Sequence, residues 1–242
     1  MELHISANSK ELNQSLADWI RDYILEVLVK QDRFTFVLSG GSTPKQLYAL
    51  LANLPYSQDI PWKKVHFFWG DERFVPFADD RNNAKMAYDE LLNQIDVLPE
   101  HIHVMKTDVD PQDSVASYEK TLKTYFGETG NTFDLVLLGM GDDGHTLSLF
   151  PGTEVVHESK AWVHAFFLPA QDMYRITLTA PVVNRASAVV FAAAGQGKAD
   201  TLKNVLEGER NIDVFPSQII DPINGSLHWF VDQAAAEKLR KN

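Results

Sequence analysis

The chain has 242 residues, with 22 Lys plus Arg against 33 Asp plus Glu, a formal charge of −11. At 45% hydrophobic residues it carries enough apolar side chain for a real core, and its acidic balance argues against non-specific nucleic-acid or anionic-membrane binding, which both need a basic surface. There is no cysteine, which excludes disulfides, zinc–thiolate sites, iron–sulfur clusters and cysteine nucleophiles. In chain order, Leu12, Leu16, Trp19, Ile20, Tyr23, Ile24, Val27 and Leu28 share one helical face, so residues 9–29 read as a long amphipathic helix. A short apolar run at 34–38 ends in a Ser39, Gly40, Gly41, Ser42, Thr43 turn, after which Pro44 opens a helix to residue 53 with Thr43 as its N-cap. Residues 65–69 read as a strand, 82–94 as a helix, 102–105 as a short strand and 111–126 as a helix. Strands follow at 133–138, 163–167, 174–178 and 187–193, then a helix to residue 206, a last strand at 227–231 and a helix to the C-terminus.

Apolar strands alternating with helices imply an α/β fold, a Rossmann-like three-layer α/β/α sandwich with a largely parallel sheet covered on both faces. The whole of 1–242 reads as a single domain, with no repeat, linker, basic-then-apolar leader or bilayer-length apolar run. A cytoplasmic protein is the expectation, its oligomeric state left open. In such folds ligands sit beyond the carboxyl ends of the strands, and there the unusual residues gather.

The 39–45 turn lacks the spacing of a Walker loop or a dinucleotide fingerprint. It reads either as an anion site at a helix N-terminus or as a tight turn that binds nothing. Asp71, Glu72 and Arg73 follow a very apolar strand; Arg73 suits phosphate or carboxylate, or belongs to a structural ion pair. Residues 139–145 space two aspartates and a histidine with three glycines. His145 there is a candidate general base, its tautomer fixed by a carboxylate such as Asp143, or else a cap for a following short helix. Lys198, in the first turn after Gly195, opposes the helix dipole, which favours an anion partner over a solvated lysine. Arg175 is a further candidate cation, or a sheet-edge ion pair. His101 and His103 read as structural rather than as a metal pair.

Five segments resemble, in order, the 6-phosphogluconolactonase family of the glucosamine-6-phosphate-isomerase-like superfamily: LSGGSTP at 38–44, FWGDER at 68–73, LGMGDDGHTLSLFPG at 138–152, RITLT at 175–179 and GQGKA at 195–199. The resemblance implies hydrolysis of 6-phospho-D-glucono-1,5-lactone to 6-phosphogluconate, a step of the oxidative pentose phosphate pathway, with no metal or organic cofactor and a phosphorylated sugar lactone as the small-molecule partner. It implies that His145 activates water and later protonates the ring oxygen, and that Asp71 shapes the sugar site or orients the histidine. Gly41, Ser42 and Thr43, with Arg73, Arg175 and Lys198, are then candidates for the phosphate, and Gly40, Asp143 and Gly144 complete the substrate-binding set.

Three positions depart from that pattern: Leu147 where a small residue is expected, Asn82 preceding Asn83 where Ser is expected, and Asp142 at a variable site. The sister deaminases resemble one another in a Tyr after Asp-Glu and a Glu after the histidine, where this chain has Arg73 and the Phe150, Pro151, Gly152 run. Lactonase chemistry therefore leads, ahead of a glucosamine-6-phosphate deaminase and of a non-catalytic sugar-phosphate-binding regulator. The latter is expected to carry a helix-turn-helix extension, for which this sequence shows no segment.

Overall fold

A computed structural model describes residues 1–127 and 130–240. The elements run β1 (Glu2–Ser6), α1 (Ser9–Leu28), β2 (Phe34–Leu38), α2 (Ser42–Leu51), α3 (Tyr56–Asp59), β3 (Val65–Trp69), β4 (Asp71–Arg73), α4 (Asn83–Ala87), α5 (Pro111–Phe126), β5 (Leu135–Gly139), β6 (Val163–Leu168), β7 (Met173–Leu178), α6 (Ala180–Val183), β8 (Ala188–Ala193), α7 (Ala199–Glu207) and β9 (Ser226–Asp232). Six strands form a wholly parallel sheet in the order β1-β9-β8-β5-β2-β3. Every residue of β2 and β8 is buried, as parallel strands covered on both faces require. Helix α1 starts at Asn8, whose side chain accepts from the Glu11 N–H, and buries Leu12, Leu16, Ile20 and Ile24. Among the described residues no helix is long and apolar enough to cross a membrane.

From β2 the chain steps outward to β3, and it later returns to β5 on the other side of β2. The loops after β2 and β5 therefore diverge and leave a crevice at the strand carboxyl ends. Two buried tyrosines hold the backbone there. The Tyr48 hydroxyl donates to Ser39 C=O and accepts from Ser39 N–H, each at 2.8 Å. Tyr118 does the same at Trp69, at 3.0 and 2.8 Å. Each hydroxyl takes over main-chain bonds where a strand leaves its ladder, and a buried peptide group without a partner is costly.

The structure corrects several expectations. The strands expected at 163–167 and 174–178 are not in the parallel sheet: β4, β7 and β6 make a separate antiparallel sheet in that order. Gly70 is the junction, donating to Leu38 C=O of the parallel sheet and accepting from Leu178 N–H of the other. β1 was missed because its partner β9 lies over 200 residues away and its side chains are largely exposed. Residues 102–105 make one isolated bridge, Ile102 to Phe67. The helix expected at 82–94 is α4 followed by one wide turn at Tyr88–Leu92. Asn82 caps α4 by accepting from Lys85 N–H, as the expected Ser would. Helix α2 starts two residues earlier than expected: Thr43 lies within it, and its N-cap is Gly41, at φ 107°, a conformation glycine adopts without a Cβ penalty. The segment before α7 is a tight turn, Gln196–Lys198. Residues 233–238 form turns rather than the expected C-terminal helix, and Lys241 and Asn242 lie outside the described residues.

Candidate active site

Three loops at the carboxyl end of the parallel sheet and one edge of the antiparallel sheet enclose a cleft of about 240 Å³. That volume suits one small ligand better than a dinucleotide. On one wall, Gly40, Gly41, Ser42 and Thr43 lead into α2. No side chain caps that N-terminus, so the first N–H groups of a ten-residue helix face the cleft without an internal partner. Gly40 is dictated by packing: a Cβ there would lie 2.1 Å from Asn83 Oδ1.

The opposite wall is the loop after β5. His145 lies 29% exposed, its ring stacked on Phe150 at 4.3 Å. Its Nδ1 is 2.5 Å from Asp143 Oδ1, which also accepts from the His145 backbone N–H at 3.1 Å. Burial alone would raise the Asp143 pKa, but the bond to His145 and its charge hold it below the ordinary value. A neutral imidazole facing that carboxylate carries its hydrogen on Nδ1, leaving the Nε2 lone pair for the cleft. The next helical turn, Glu154–His157, begins nine residues on with Thr153 at its N-cap, so the alternative reading of His145 as a helix cap does not hold.

Gly141 makes this arrangement possible. A Cβ on it would sit 2.1 Å from His145 Nδ1 and 2.5 Å from Asp143 Oδ1. Gly141→Ala is therefore expected to displace the imidazole with little change in thermal stability and, with His145 as the base, to lower kcat by at least about tenfold, since misplacement of a reacting group by about 1 Å costs as much as 10²-fold. Steady-state kinetics beside a melting curve check this; unchanged kcat would show that the ring has room to move.

The floor comes from β4 and β7. Alternation along β4 puts Asp71 and Arg73 on one face and Glu72 on the other. Glu72 is buried and accepts from the backbone N–H groups of Arg73, Asn83 and Ala84 at 2.7–2.8 Å, tying β4 to the start of α4. Asp71 Oδ2 accepts from Arg175 Nη2 at 2.7 Å and Ser148 Oγ at 2.6 Å. Burial works to raise the Asp71 pKa, but the charges of Arg175 and Arg73 and the bonds from Ser148 and Arg175 outweigh it, so the carboxyl stays ionised. Arg175 is 4% exposed, donates its Nη1 to Gln171 and lies 5.4 Å from the Phe150 ring centroid. Arg73 and Arg175 face each other across the β4–β7 ladder. Like charges so placed repel, and the Nε of each is buried without a hydrogen-bond partner among the described residues.

Lys198 reaches the cleft from the loop after β8, with Nζ 2.5 Å from Asp142 Oδ1. Gly195 N–H is held by the Asp232 carboxylate at 3.0–3.1 Å.

The cleft thus unites nine of the eleven residues singled out from sequence: Gly40, Gly41, Ser42, Thr43, Asp71, Arg73, His145, Arg175 and Lys198. Asp143 stands behind His145 rather than in the wall, and Gly144, at φ 82°, packs on Phe215. His145 is held by Asp143, whereas Asp71 is engaged with Arg175 and Ser148. Asn83 and Met140 also line the cleft, and Ser148 and Phe150 support it, none of them given a site role from sequence; Leu147, noted there as a departure from the family pattern, lines it too. Ser148 and Phe150 sat inside the quoted 138–152 block, which was the available signal. Leu147 adopts φ 54° and fills the space left by Gly70, where a Cβ would lie 2.6 Å from its Cδ2.

The family described as glucosamine-6-phosphate isomerases/6-phosphogluconolactonase matches residues 7–229. A 6-phosphogluconolactonase from Synechocystis sp. is 40% identical over 221 residues, 90% of this chain and 89% of that protein. One from Nostoc sp. is 41% identical over 220 residues, 89% of each. The solved structure of 6-phosphogluconolactonase from Trypanosoma brucei superposes with a TM-score of 0.87 at 27% identity, covering 99% of this chain and 98% of that one.

Proposed function

Since the chain belongs to the glucosamine-6-phosphate isomerase/6-phosphogluconolactonase family, we propose that it hydrolyses 6-phospho-D-glucono-1,5-lactone to 6-phospho-D-gluconate, with residues 1–242 acting as one unit. The observation that carries this reading is the Asp143–His145 pair, which leaves Nε2 free opposite an anion-ready helix start across one small cleft.

In this reading the phosphate lies at the α2 N-terminus, against the N–H groups of Ser42 and Thr43, with Arg73 and Arg175 supplying positive charge. A dianion there would offset the repulsion between the two arginines. Lys198, already paired with Asp142, contributes charge from the far rim. Asp71, ionised and fixed by two donors, accepts from sugar hydroxyls and shapes the ring site. A water between Nε2 and C1 gives a proton to His145 while its oxygen bonds to C1, and the carbonyl electrons move to oxygen. When the C=O re-forms, the C1–ring oxygen bond breaks and the imidazolium protonates the departing oxygen. Asp143 stabilises the imidazolium between the two transfers.

Freshly generated lactone, with its spontaneous hydrolysis subtracted, tests the reading against its nearest rival. Catalysed lactone loss with no ammonia from glucosamine 6-phosphate is expected. Ammonia release without lactone acceleration would replace the proposal by the deaminase.

A further inference from the structure

At the lateral edge of the parallel sheet, away from the cleft, β1 and β9 bring together Glu2, His4 and His228. Glu2 lies directly opposite His228 in the ladder, and His4 follows two residues on, on the same face of β1. Three donor atoms converge: His4 Nε2 and His228 Nδ1 are 3.3 Å apart, Glu2 Oε2 is 3.5 Å from His228 Nδ1 and 3.9 Å from His4 Nε2. Zinc–nitrogen bonds of about 2.0–2.1 Å in a tetrahedron place neighbouring donors ~3.3–3.4 Å apart. The triangle is already close to that size.

The rings are also held. His4 stacks on Phe230 at 4.2 Å, and Trp19 of α1 lies 4.8 Å from the His228 ring. His228 is 7% exposed in its side chain, whereas His4 is 32% and Glu2 65% exposed, so the site is walled on one side and open on the other. Rigid imidazoles reduce the ordering cost of binding. None of the three residues lines the cleft. By contrast, His103 Nε2 and His66 Nδ1 are both taken by the Tyr125 hydroxyl, at 2.7 and 3.0 Å, in agreement with a structural reading of that cluster.

We propose that Glu2, His4 and His228 form a binding site for a divalent transition metal of the zinc class, which clips edge strand β1 to β9. Two imidazoles and one carboxylate suit zinc, cobalt, nickel or copper better than magnesium or calcium, which prefer all-oxygen shells. The fourth position faces solvent and takes water. When the metal binds, each ring carries its hydrogen on the outer nitrogen, so both inner lone pairs reach the metal.

Untagged full-length protein titrated with Zn²⁺ by calorimetry tests this, with Co²⁺ as a spectroscopic probe. One saturable equivalent is expected, together with the intense visible bands of four-coordinate Co²⁺ and a higher unfolding temperature with Zn²⁺ than without. His4→Ala and, on the exposed side, Glu2→Ala should weaken binding by at least about tenfold, since even outer-sphere partners carry roughly 10–100-fold. His164→Ala, a histidine elsewhere on the surface, should leave it unchanged. Absence of a saturable equivalent in the wild type, or equal binding by His4→Ala and Glu2→Ala, overturns the proposal. Glu2 is exposed enough that its substitution leaves the fold intact, so the test survives if His4→Ala misfolds.

Discussion

His145→Ala is expected to lower kcat for the lactone by about 10²–10⁴-fold, the range for a positioned general base. KM should change little, because in the proposed mechanism the imidazole acts on the attacking water and the leaving oxygen rather than on the phosphate. The fold should be unaffected: the ring is partly exposed, stacks on Phe150 and, among the described residues, hydrogen-bonds only to Asp143, two residues away. Asp143→Asn separates two explanations. If the carboxylate sets the tautomer and stabilises the imidazolium, this variant also loses kcat while the ring stays in place. The check is kcat and KM for both variants beside near-ultraviolet circular dichroism. A kcat for His145→Ala within twofold of wild type would remove the histidine from the chemistry.

Asp71→Ala has the largest expected effect on stability. Asp71 and Arg175 are about 5% or less exposed, and their pairing leaves each charge little access to water. Removing the carboxylate strands the Arg175 guanidinium in the interior and takes an acceptor from Ser148, a loss of about 3–5 kcal/mol for a broken buried pair. Urea unfolding should show it as a lower midpoint with an unchanged slope. The pH dependence has a definite sign. The folded pKa of Asp71 lies below its unfolded value. The pair's contribution is therefore complete above the ordinary carboxylate range, near pH 4, and is lost as pH falls through the folded value. Wild type and Asp71→Ala should converge in stability as the solution is acidified. A constant difference down to pH 2 would show that the carboxylate's charge is not what stabilises the folded state.

Much of the parallel half of the fold was legible because β2, β3, β5 and β8 are short, largely apolar runs that end at a turn residue, and their bounds lie within two residues of those expected. The antiparallel half was not, because β6 and β7 read as strands without any sign of the sheet they join, and β4 is three charged residues that look like a loop. Its strand character comes wholly from pairing with β7, a partner about 100 residues on.

The site followed the same division. Glycine-bracketed residues at parallel strand ends, His145 and the 40–43 turn, could be placed from local pattern. Asp143 was correctly singled out as the neighbour of His145, because a two-residue separation in a tight turn is a local fact. The Asp71–Arg175 bond, the opposed Arg73 and Arg175, and the Lys198–Asp142 pair depend on long-range contacts that no spacing encodes. Leu147 departed from the family pattern, and its reason is also non-local: Gly70, at the junction between β3 and β4, vacates the volume its side chain fills.

The proposed function requires one ligand to span the cleft, phosphate at the α2 N-terminus and C1 at His145. A crystal structure with 6-phosphogluconate bound tests it most directly. Phosphate oxygens are expected within hydrogen-bond distance of the Ser42 and Thr43 N–H groups and of Arg73, with the C1 carboxylate within one water of His145 Nε2. A product bound in the opposite sense, with its phosphate at His145 and its carboxylate at α2, would contradict it.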